Sequence, residues 1–160
     1  MPTDCCFCKD NDWFRYRVGA IIISDGEALF SYGEDAKYYY TIGGGVHVGE
    51  HAEDAVLREV FEETGADFVI ERPLCLVENF FKGDNLLEDL DCHTIELYFL
   101  MKPEIKREYD VGSVTTSGEH EKMCWLPINR IDEYDVRPAI AKELVKKLPE
   151  HFMSYVNDER

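Results

Sequence analysis

The chain has 160 residues, of which 45% are hydrophobic and 31% are charged, a composition typical of one soluble globular domain. Its net charge is -16 at pH 7. We therefore expect no long nucleic acid and no anionic membrane surface among its partners, because both attract clustered Lys and Arg. A small phosphorylated substrate is compatible with this charge, since bound metal ions can reverse the local field.

The sequence shows no export signal and no membrane-spanning segment. It begins without a basic segment or an apolar stretch. Its longest apolar run, residues 18–23, is far below the roughly 20 residues that a spanning helix needs. Cysteines in a chain without an export signal are expected to be reduced thiols. These features predict a cytoplasmic protein.

Residues 1–12 are predicted to be an N-terminal extension of the flexible kind common at chain ends, and residues 13–160 a single domain. Within the extension, Cys5 and Cys8 have the spacing of half a zinc-ribbon site. No second Cys-x-x-Cys pair follows them. We therefore favour ordinary terminal cysteines over a metal site.

The predicted strands follow one another without internal repeats. β-Branched and aromatic residues indicate them, and turn residues separate them. They cover residues 14–24, 28–32, 38–42, 68–81, 93–101 and 123–126. The strand over residues 28–32 should pair with the strand over residues 14–24 as a hairpin. Residues 93–101 alternate between an apolar set (Ile95, Leu97, Phe99) and a more polar set (Thr94, Glu96, Tyr98), as in a strand buried on one face.

Two helices are predicted. The first covers residues 52–64 and is ended by Gly65, and the second covers residues 138–148 with a proline in its first turn. Residues 82–91 and 102–118 are predicted loops, and residues 151–160 either an edge strand or a frayed tail. Mixed strands and two principal helices predict an α+β fold.

The first predicted helix carries an unusual acidic stripe. Glu59, Glu62 and Glu63 fall within a sector about 100° wide, and such like charges repel one another by a few tenths of a kcal/mol per pair. Only Arg58 is placed to offset them. The adjoining sector is apolar and consists of Val56, Leu57, Val60, Phe61 and Thr64. The geometry alone leaves two interpretations open: an acidic solvated helix, or a site where Mg²⁺ binds carboxylates together with phosphate oxygens.

The spacing of Gly44, Glu50 and residues 58–66 resembles the signature of the Nudix hydrolases (MutT-like), G-x5-E-x7-R-E-U-x-E-E-x-G-U, in which U is a bulky aliphatic residue. Every fixed Gly, Glu and Arg of this box, from Gly44 to Ala66, stands at the family's spacing. Only Ala66 departs from the pattern, and it affects packing rather than chemistry. The resemblance implies a Nudix-type α/β/α sandwich with a mixed β-sheet.

The resemblance also implies metal-dependent hydrolysis, in which water attacks phosphorus in a pyrophosphate linkage. The family's metal-binding carboxylates match Glu59 and Glu63, and Glu62 commonly joins them. A backbone carbonyl of the glycine turn, here Gly43 or Gly44, often completes the metal shell. The cofactor would be Mg²⁺ or Mn²⁺, which lowers the pKa of water and neutralises developing charge.

Further catalytic roles follow from the same resemblance. Arg58 and Glu50 match positions that orient the loop and the catalytic glutamates. The general base stays open between Glu63 of the box and a glutamate of a later loop. Glu119 and Glu121 lie where family members often place such a residue, and we expect one of the pair to assist.

The substrate is expected to be a small nucleotide-like molecule. Arg15 and Arg17, two apart on the first strand, would project to one face and could bind a phosphate, although surface placement is as plausible. Aromatic residues near the box could stack on a nucleobase or pack in the core. They are Tyr38, Tyr39, Tyr40, Phe80, Phe81 and Trp125. Nucleoside triphosphates (oxidised ones included), ADP-ribose-like sugars and dinucleotides all stay open.

Two functions are therefore compared. The first is an enzyme that hydrolyses the pyrophosphate linkage of a nucleoside diphosphate joined to another moiety, and the intact glutamates favour it. The alternative is a catalytically weak Nudix-fold module that binds or senses a nucleotide. Because family members are often dimers, a homodimer formed through a C-terminal edge strand is a further expectation.

Overall fold

The structure is a computed structural model that describes residues 1–104, 107–109, 114, 118 and 120–160. Its helices in this part of the chain are α1 (Ala52–Thr64) and α2 (Ile140–Lys146). The strands before α1 are β1 (Cys6–Lys9), β2 (Asp12–Ile21), β3 (Ile23–Ser24), β4 (Glu27–Gly33), β5 (Tyr39–Tyr40) and β6 (Ile42–Gly45). The strands after it are β7 (Ile70–Lys82), β8 (Asp91–Met101), β9 (Glu121–Pro127), β10 (Val136–Arg137) and β11 (Met153–Glu159). Short 3-10 helices cover Asn85–Leu87 and Ile128–Glu133.

The described strands form two sheets. The larger has the order β1-β2-β8-β7-β11, and β6 pairs with the C-terminal half of β2, beyond the end of β1. This sheet is mixed, because β8 runs parallel to β2 and antiparallel to β7. The smaller sheet has the order β10-β5-β4-β3, with β9 also paired to β4. The predicted α+β class and mixed sheet are confirmed.

Two predicted strands are divided between the sheets. The strand expected over residues 14–24 is interrupted at Ile22, so that β2 belongs to the larger sheet and β3 to the smaller. The hairpin with residues 28–32 therefore involves only β3, which pairs antiparallel with β4. The strand expected over residues 38–42 is likewise interrupted at Thr41. Strand propensity gives no sign of these breaks, because the residues on either side are equally suited to a strand.

Helix α1 has the predicted bounds, whereas α2 is shorter than predicted. Gly65 ends α1 with φ of 69°, a left-handed conformation that favours glycine, and its N–H donates to the carbonyl of Phe61. Residues 138–139 fall outside α2. The carbonyl of Pro138 accepts a hydrogen bond from Ala141, three residues on, as in the 3-10 turns that often begin helices.

Helix α1 packs on one face of the larger sheet. Its Val56 and Val60 are buried in one cluster with Val18 of β2 and Phe99 of β8. Phe61, which the sequence places in the apolar sector, is instead 51% exposed. A second buried cluster joins α2 to both sheets. Helix α1 therefore presents its acidic stripe at the border of the core.

The more polar face of β8 is the more completely buried one. Thr94, Glu96 and Tyr98 are all buried, whereas on the apolar face Ile95 and Leu97 are half-buried and only Phe99 of the three, which packs with α1, is buried. Tyr98 belongs to the cluster shared with the smaller sheet, so this face of β8 looks toward the space between the sheets. The predicted alternation is confirmed, but the pattern alone does not tell which face of the strand is buried.

Both ends of the chain join the larger sheet. Strand β1, within the segment 1–12, pairs antiparallel with β2. Strand β11 pairs parallel with β7 at the opposite edge. Of the two expectations for residues 151–160, the edge strand is correct. Among the described residues, no helix has the length and apolar character needed to cross a membrane.

Candidate active site

Three consecutive glycines, Gly43 to Gly45, form a glycine triplet that brings the backbone close to α1. Gly43 has φ of 142°, and a Cβ there would lie 2.1 Å from the carbonyl oxygen of Val18, so only glycine fits. Its N–H donates a hydrogen bond of 2.9 Å to Oε1 of Glu63. The other oxygen of this carboxylate, Oε2, is buried and has no hydrogen-bond partner among the residues that the structure describes. Glu63 is therefore held by one oxygen, while the other is free for a further ligand.

Gly44 makes room for a second carboxylate. A Cβ at this position would lie 2.5 Å from the carboxylate carbon of Glu59. The side chain of Glu59 is 15% exposed, and its Oε1 accepts a hydrogen bond of 2.6 Å from Arg58. The glycine turn therefore contacts both Glu59 and Glu63, four residues apart on the same face of α1.

Burial raises the pKa of both carboxyl groups. For Glu59, burial is the main cause, and the neighbouring charge of Arg58 opposes it. For Glu63, only 7% exposed, burial raises the pKa well above its ordinary value, and the nearby charge of Glu121 acts in the same direction. Arg17 lowers both pKa values by its positive charge. Two desolvated carboxylates side by side favour a bound cation.

Arg58 and Glu50 fasten the loop between β6 and α1 to the helix. Arg58 Nε and Nη2 donate to the two oxygens of Glu50 across 2.8 and 2.9 Å, and Nη2 also donates to the carbonyl of Gly45. Hydrogen bonds from Arg58 lower the pKa of Glu50 to about 2. Because Arg58 also holds Glu59, this pair connects the loop to a candidate metal ligand.

Glu62 stands apart from the two buried carboxylates. Its side chain is 57% exposed, and one of its oxygens lies 3.6 Å from Nη1 of Arg58. It lies on the same helix as Glu59 and Glu63, one turn from the first and next to the second. Its exposure leaves it able to turn toward a ligand at the site.

Glu121 approaches the same site from the smaller sheet. As the first residue of β9 it pairs with Gly33, and its Oε1 accepts a hydrogen bond of 3.0 Å from the hydroxyl of Tyr40. Its charge acts on Glu63. The structure thus brings Glu121 to the box, whereas Glu119 lies outside the described residues.

A buried ion pair beside the site was not predicted. The side chain of Glu96 is 2% exposed, and its Oε2 lies 3.7 Å from Arg17. Tyr98 donates to Oε2 across 2.6 Å, and Thr94 and Asn79 donate to Oε1. Glu96 therefore holds the guanidinium of Arg17 near the two buried glutamates of α1. Because Glu96 belongs to the more polar set of an alternating strand, the sequence gives no signal that it is buried.

The two arginines of β2 have different surroundings. Arg15 forms an ion pair of 2.8 Å with Asp4 of the N-terminal segment. The side chain of Arg17 is 17% exposed and reaches toward Glu96 and the carbonyl of Thr41. Surface placement, the alternative to phosphate binding, therefore does not describe Arg17.

The aromatic candidates are dispersed. Tyr39 packs in the core, while the Tyr38 ring lies 4.0 Å from the guanidinium of Arg137. Trp125 packs beside the buried cluster that contains Val56 and Val60 of α1, and its Nε1 donates to a backbone carbonyl. Phe80 stacks on His93. Tyr40 contacts a predicted site residue, because its hydroxyl donates to Glu121.

The chemistry of the acidic side chains fits a hard divalent cation. The unpartnered oxygen of Glu63 and the carboxylate of Glu59 against Gly44 are the kind of donors that Mg²⁺ prefers. Among the residues that the structure describes, no three His, Cys, Asp or Glu side chains are gathered closely enough to hold a metal unaided. The donors therefore suit an ion that also takes substrate oxygens, rather than a closed structural site.

Comparisons with known proteins identify the family of the chain and its fold. An RNA pyrophosphohydrolase from Sodalis glossinidius (strain morsitans) is 36% identical over 76 residues, a segment that covers 46% of this chain and 42% of that protein. The chain thus matches less than half the length of this relative.

Solved structures share the fold. A MutT protein from Bacillus halodurans superposes with a TM-score of 0.63 at 16% identity, covering 91% of this chain and 93% of that one. A MutT NUDIX hydrolase from Burkholderia pseudomallei is 27% identical with a TM-score of 0.51, covering 72% and 84% of the two chains. The NUDIX domain family matches residues 13–148, most of the sequence. The chain therefore belongs to the NUDIX family.

Proposed function

We propose that the protein hydrolyses the pyrophosphate linkage of a nucleoside diphosphate joined to another moiety. The observation that carries this proposal is the pair of buried carboxylates, Glu59 and Glu63, held against the glycine turn with one Glu63 oxygen free. Family membership and the similarity to an RNA pyrophosphohydrolase support the reaction class. Such a site is suited to a substrate whose phosphates arrive together with a cation.

Glu59 and Glu63 would hold Mg²⁺ or Mn²⁺, with Glu62 turning in and a carbonyl of Gly43 or Gly44 completing the set. When bound, this ion would supply water activation and neutralisation of phosphate charge. Gly44 leaves the space that Glu59 occupies. Arg58 and Glu50 would keep the loop between β6 and α1 in a fixed position relative to the helix throughout the reaction.

The reaction needs a group that accepts the proton of the attacking water. The oxygen of water would form a bond to phosphorus, the bridging P–O bond would break, and the bridging oxygen would leave with its phosphate. Glu63, whose pKa burial raises, and Glu121, close to it, are the two described candidates. Glu119 stays a third candidate from the sequence.

Arg17 is placed to bind the substrate's phosphate. Glu96 holds it, and its charge already acts on Glu59 and Glu63. A fixed guanidinium binds phosphate oxygens with less loss of side-chain freedom than a mobile one.

Small nucleotides fit the charge of the protein better than long nucleic acids do. A net charge of -16 opposes extended contact with an RNA backbone. An RNA bound only through its 5′ phosphates would avoid this cost, so the relative's substrate belongs among the candidates. We further propose a cytoplasmic protein, and a homodimer is compatible with the edge strand β11.

The test is a panel of substrates assayed with Mg²⁺ or Mn²⁺: nucleoside triphosphates, an oxidised triphosphate, ADP-ribose, dinucleoside polyphosphates and a 5′-triphosphorylated oligoribonucleotide. We expect turnover of at least one member that EDTA abolishes. Micromolar binding without turnover of any member would instead support the nucleotide-binding or sensor function.

A further inference from the structure

The N-terminal segment pairs with the loop that leads into α1. The N–H of Val48 donates to the carbonyl of Thr3 across 2.8 Å, and the N–H of Cys5 donates to the carbonyl of Val46 across 2.8 Å. Asp4 lies between these bonds, opposite His47. Residues 3–5 therefore act as a short extra strand along residues 46–48, next to the glycine turn.

Side-chain contacts link this segment to Glu50. Arg15 Nη2 lies 2.8 Å from Oδ2 of Asp4, and the other Asp4 oxygen lies 3.5 Å from Nε2 of His47. The ring nitrogen Nδ1 of His47 lies 3.5 Å from Oε2 of Glu50, and the backbone N–H of His47 donates to the same oxygen across 2.9 Å. Since Glu50 holds Arg58, the contacts run without a gap from residue 4 to α1.

The third glycine of the triplet serves this arrangement. A Cβ on Gly45 would lie 2.4 Å from Oδ2 of Asp4 and 2.8 Å from Nη2 of Arg15. Gly43 and Gly44 leave space for contacts with β2 and Glu59, whereas Gly45 leaves space for the Asp4–Arg15 ion pair. Arg58 also donates to the carbonyl of Gly45. The turn is thus fixed from both sides, by α1 and by the N-terminal segment.

We propose that Asp4 is a positioning residue for metal binding: by holding Arg15 and His47 it fixes the loop that orients Glu50, Arg58 and through them Glu59. This role rests on the proposed function, because it presupposes a cation at Glu59 and Glu63. Asp4 contacts neither the cation nor the substrate. It acts indirectly, because an unbroken series of contacts connects it to Glu59, a candidate metal ligand.

The test compares Asp4→Asn with Asp10→Asn in the full chain, freed of metal and titrated with Mn²⁺ alone by electron paramagnetic resonance. Asn cannot form the ion pair with Arg15, whereas Asp10 is exposed in the turn between β1 and β2. Residues that orient metal ligands typically contribute about 10–100-fold in metal affinity, and Asp4 is more remote, so we expect Asp4→Asn to weaken Mn²⁺ binding about 3–10-fold. Asp10→Asn should bind like the wild type.

Two further readouts separate positioning from general destabilisation. Hydrogen exchange should show faster exchange of the Val48 amide in Asp4→Asn, with Val60 in the middle of α1 unchanged. The Mg²⁺ concentration for half-maximal activity should rise, with the substrate KM unchanged at saturating metal. Equal Mn²⁺ affinity of Asp4→Asn and wild type, or equal weakening in Asp10→Asn, would overturn this role. Absence of Mn²⁺ binding by the wild type would overturn the metal site itself, and the role of Asp4 with it.

Discussion

The backbone N–H of Gly43 donates to Oε1 of Glu63 across 2.9 Å, and the second oxygen of the same carboxylate finds no hydrogen-bond partner in the described part of the chain. This contact joins strand β6 to helix α1 at the point where the chain turns. It holds the buried carboxylate of Glu63 in one orientation but satisfies only one of its two oxygens. An unsatisfied buried oxygen is costly to a fold, which is why such atoms concentrate where a ligand binds.

The first prediction concerns Glu63→Gln. The amide oxygen can keep the bond from Gly43, while the negative charge is lost. We expect kcat to fall about 10²–10⁴-fold, the range typical of a lost general base, with no loss of unfolding free energy, because a buried charge is removed. Glu53→Gln, on the exposed first turn of α1, is the matched control and should keep full activity. A Glu63→Gln protein with wild-type kcat would contradict the role of Glu63.

The second prediction concerns Gly44→Ala. Its Cβ would lie 2.5 Å from the carboxylate carbon of Glu59, so that side chain must move. We expect the Mg²⁺ requirement to rise and kcat to fall at least about tenfold, by analogy with disturbed metal ligands. Gly26→Ala is the control: its φ of 76° strains a side chain, but no described residue places an atom within 4 Å of the added Cβ. It should lower the melting temperature without changing kcat, and the same loss of activity in both variants would refute the explanation.

The third prediction concerns the pH dependence of stability. Hydrogen bonds from Arg58 lower the pKa of Glu50 from 4.5 to about 2. Between these values the unfolded chain binds more protons than the folded one, so the stabilisation by Glu50 is fully present above about pH 5 and is lost as the pH falls toward 2. Urea denaturation of metal-free wild type and Glu50→Gln should give a difference in unfolding free energy that shrinks from pH 5 to pH 3. A difference that stays constant over this range would show that Glu50 is not stabilised by Arg58.

The fourth prediction concerns the buried ion pair. Glu96→Leu leaves the guanidinium of Arg17 without its carboxylate, and breaking a buried pair in this way typically costs about 3–5 kcal/mol. Glu78→Leu makes the same change on the half-exposed face of neighbouring β7 and should alter stability by less than about 1 kcal/mol. Equilibrium urea denaturation of the two variants tests this. Equal losses would mean that Glu96 has no special partner in the folded chain.

The local parts of this site could be predicted from the sequence, because each depends on residues close together along the chain. Helix α1 has its predicted bounds, since the apolar spacing and Gly65 both act locally. The grouping of Glu59 and Glu63 beside the glycines is what the resemblance of the box to the Nudix signature implies.

The parts that depend on distant contacts could not be predicted. Glu96 was assigned to an alternating strand, but only the position of the smaller sheet decides that its face is inside. Asp4 lies in the segment predicted to be a terminal extension, and the sequence does not predict its pairing with His47, because the two residues are more than 40 positions apart. Residue patterns specify elements, whereas the contacts between elements come from tertiary packing.

The most direct test of the central claim is hydrolysis of the best panel substrate in H₂¹⁸O with Mg²⁺, followed by mass spectrometry of the products. Attack of water on phosphorus predicts one ¹⁸O atom in a phosphate group of one product, a rate abolished by EDTA, and no labelled product from Glu63→Gln in the same time. Label in a carbon-bound oxygen, or equal labelling by wild type and Glu63→Gln, would contradict pyrophosphate hydrolysis at this site.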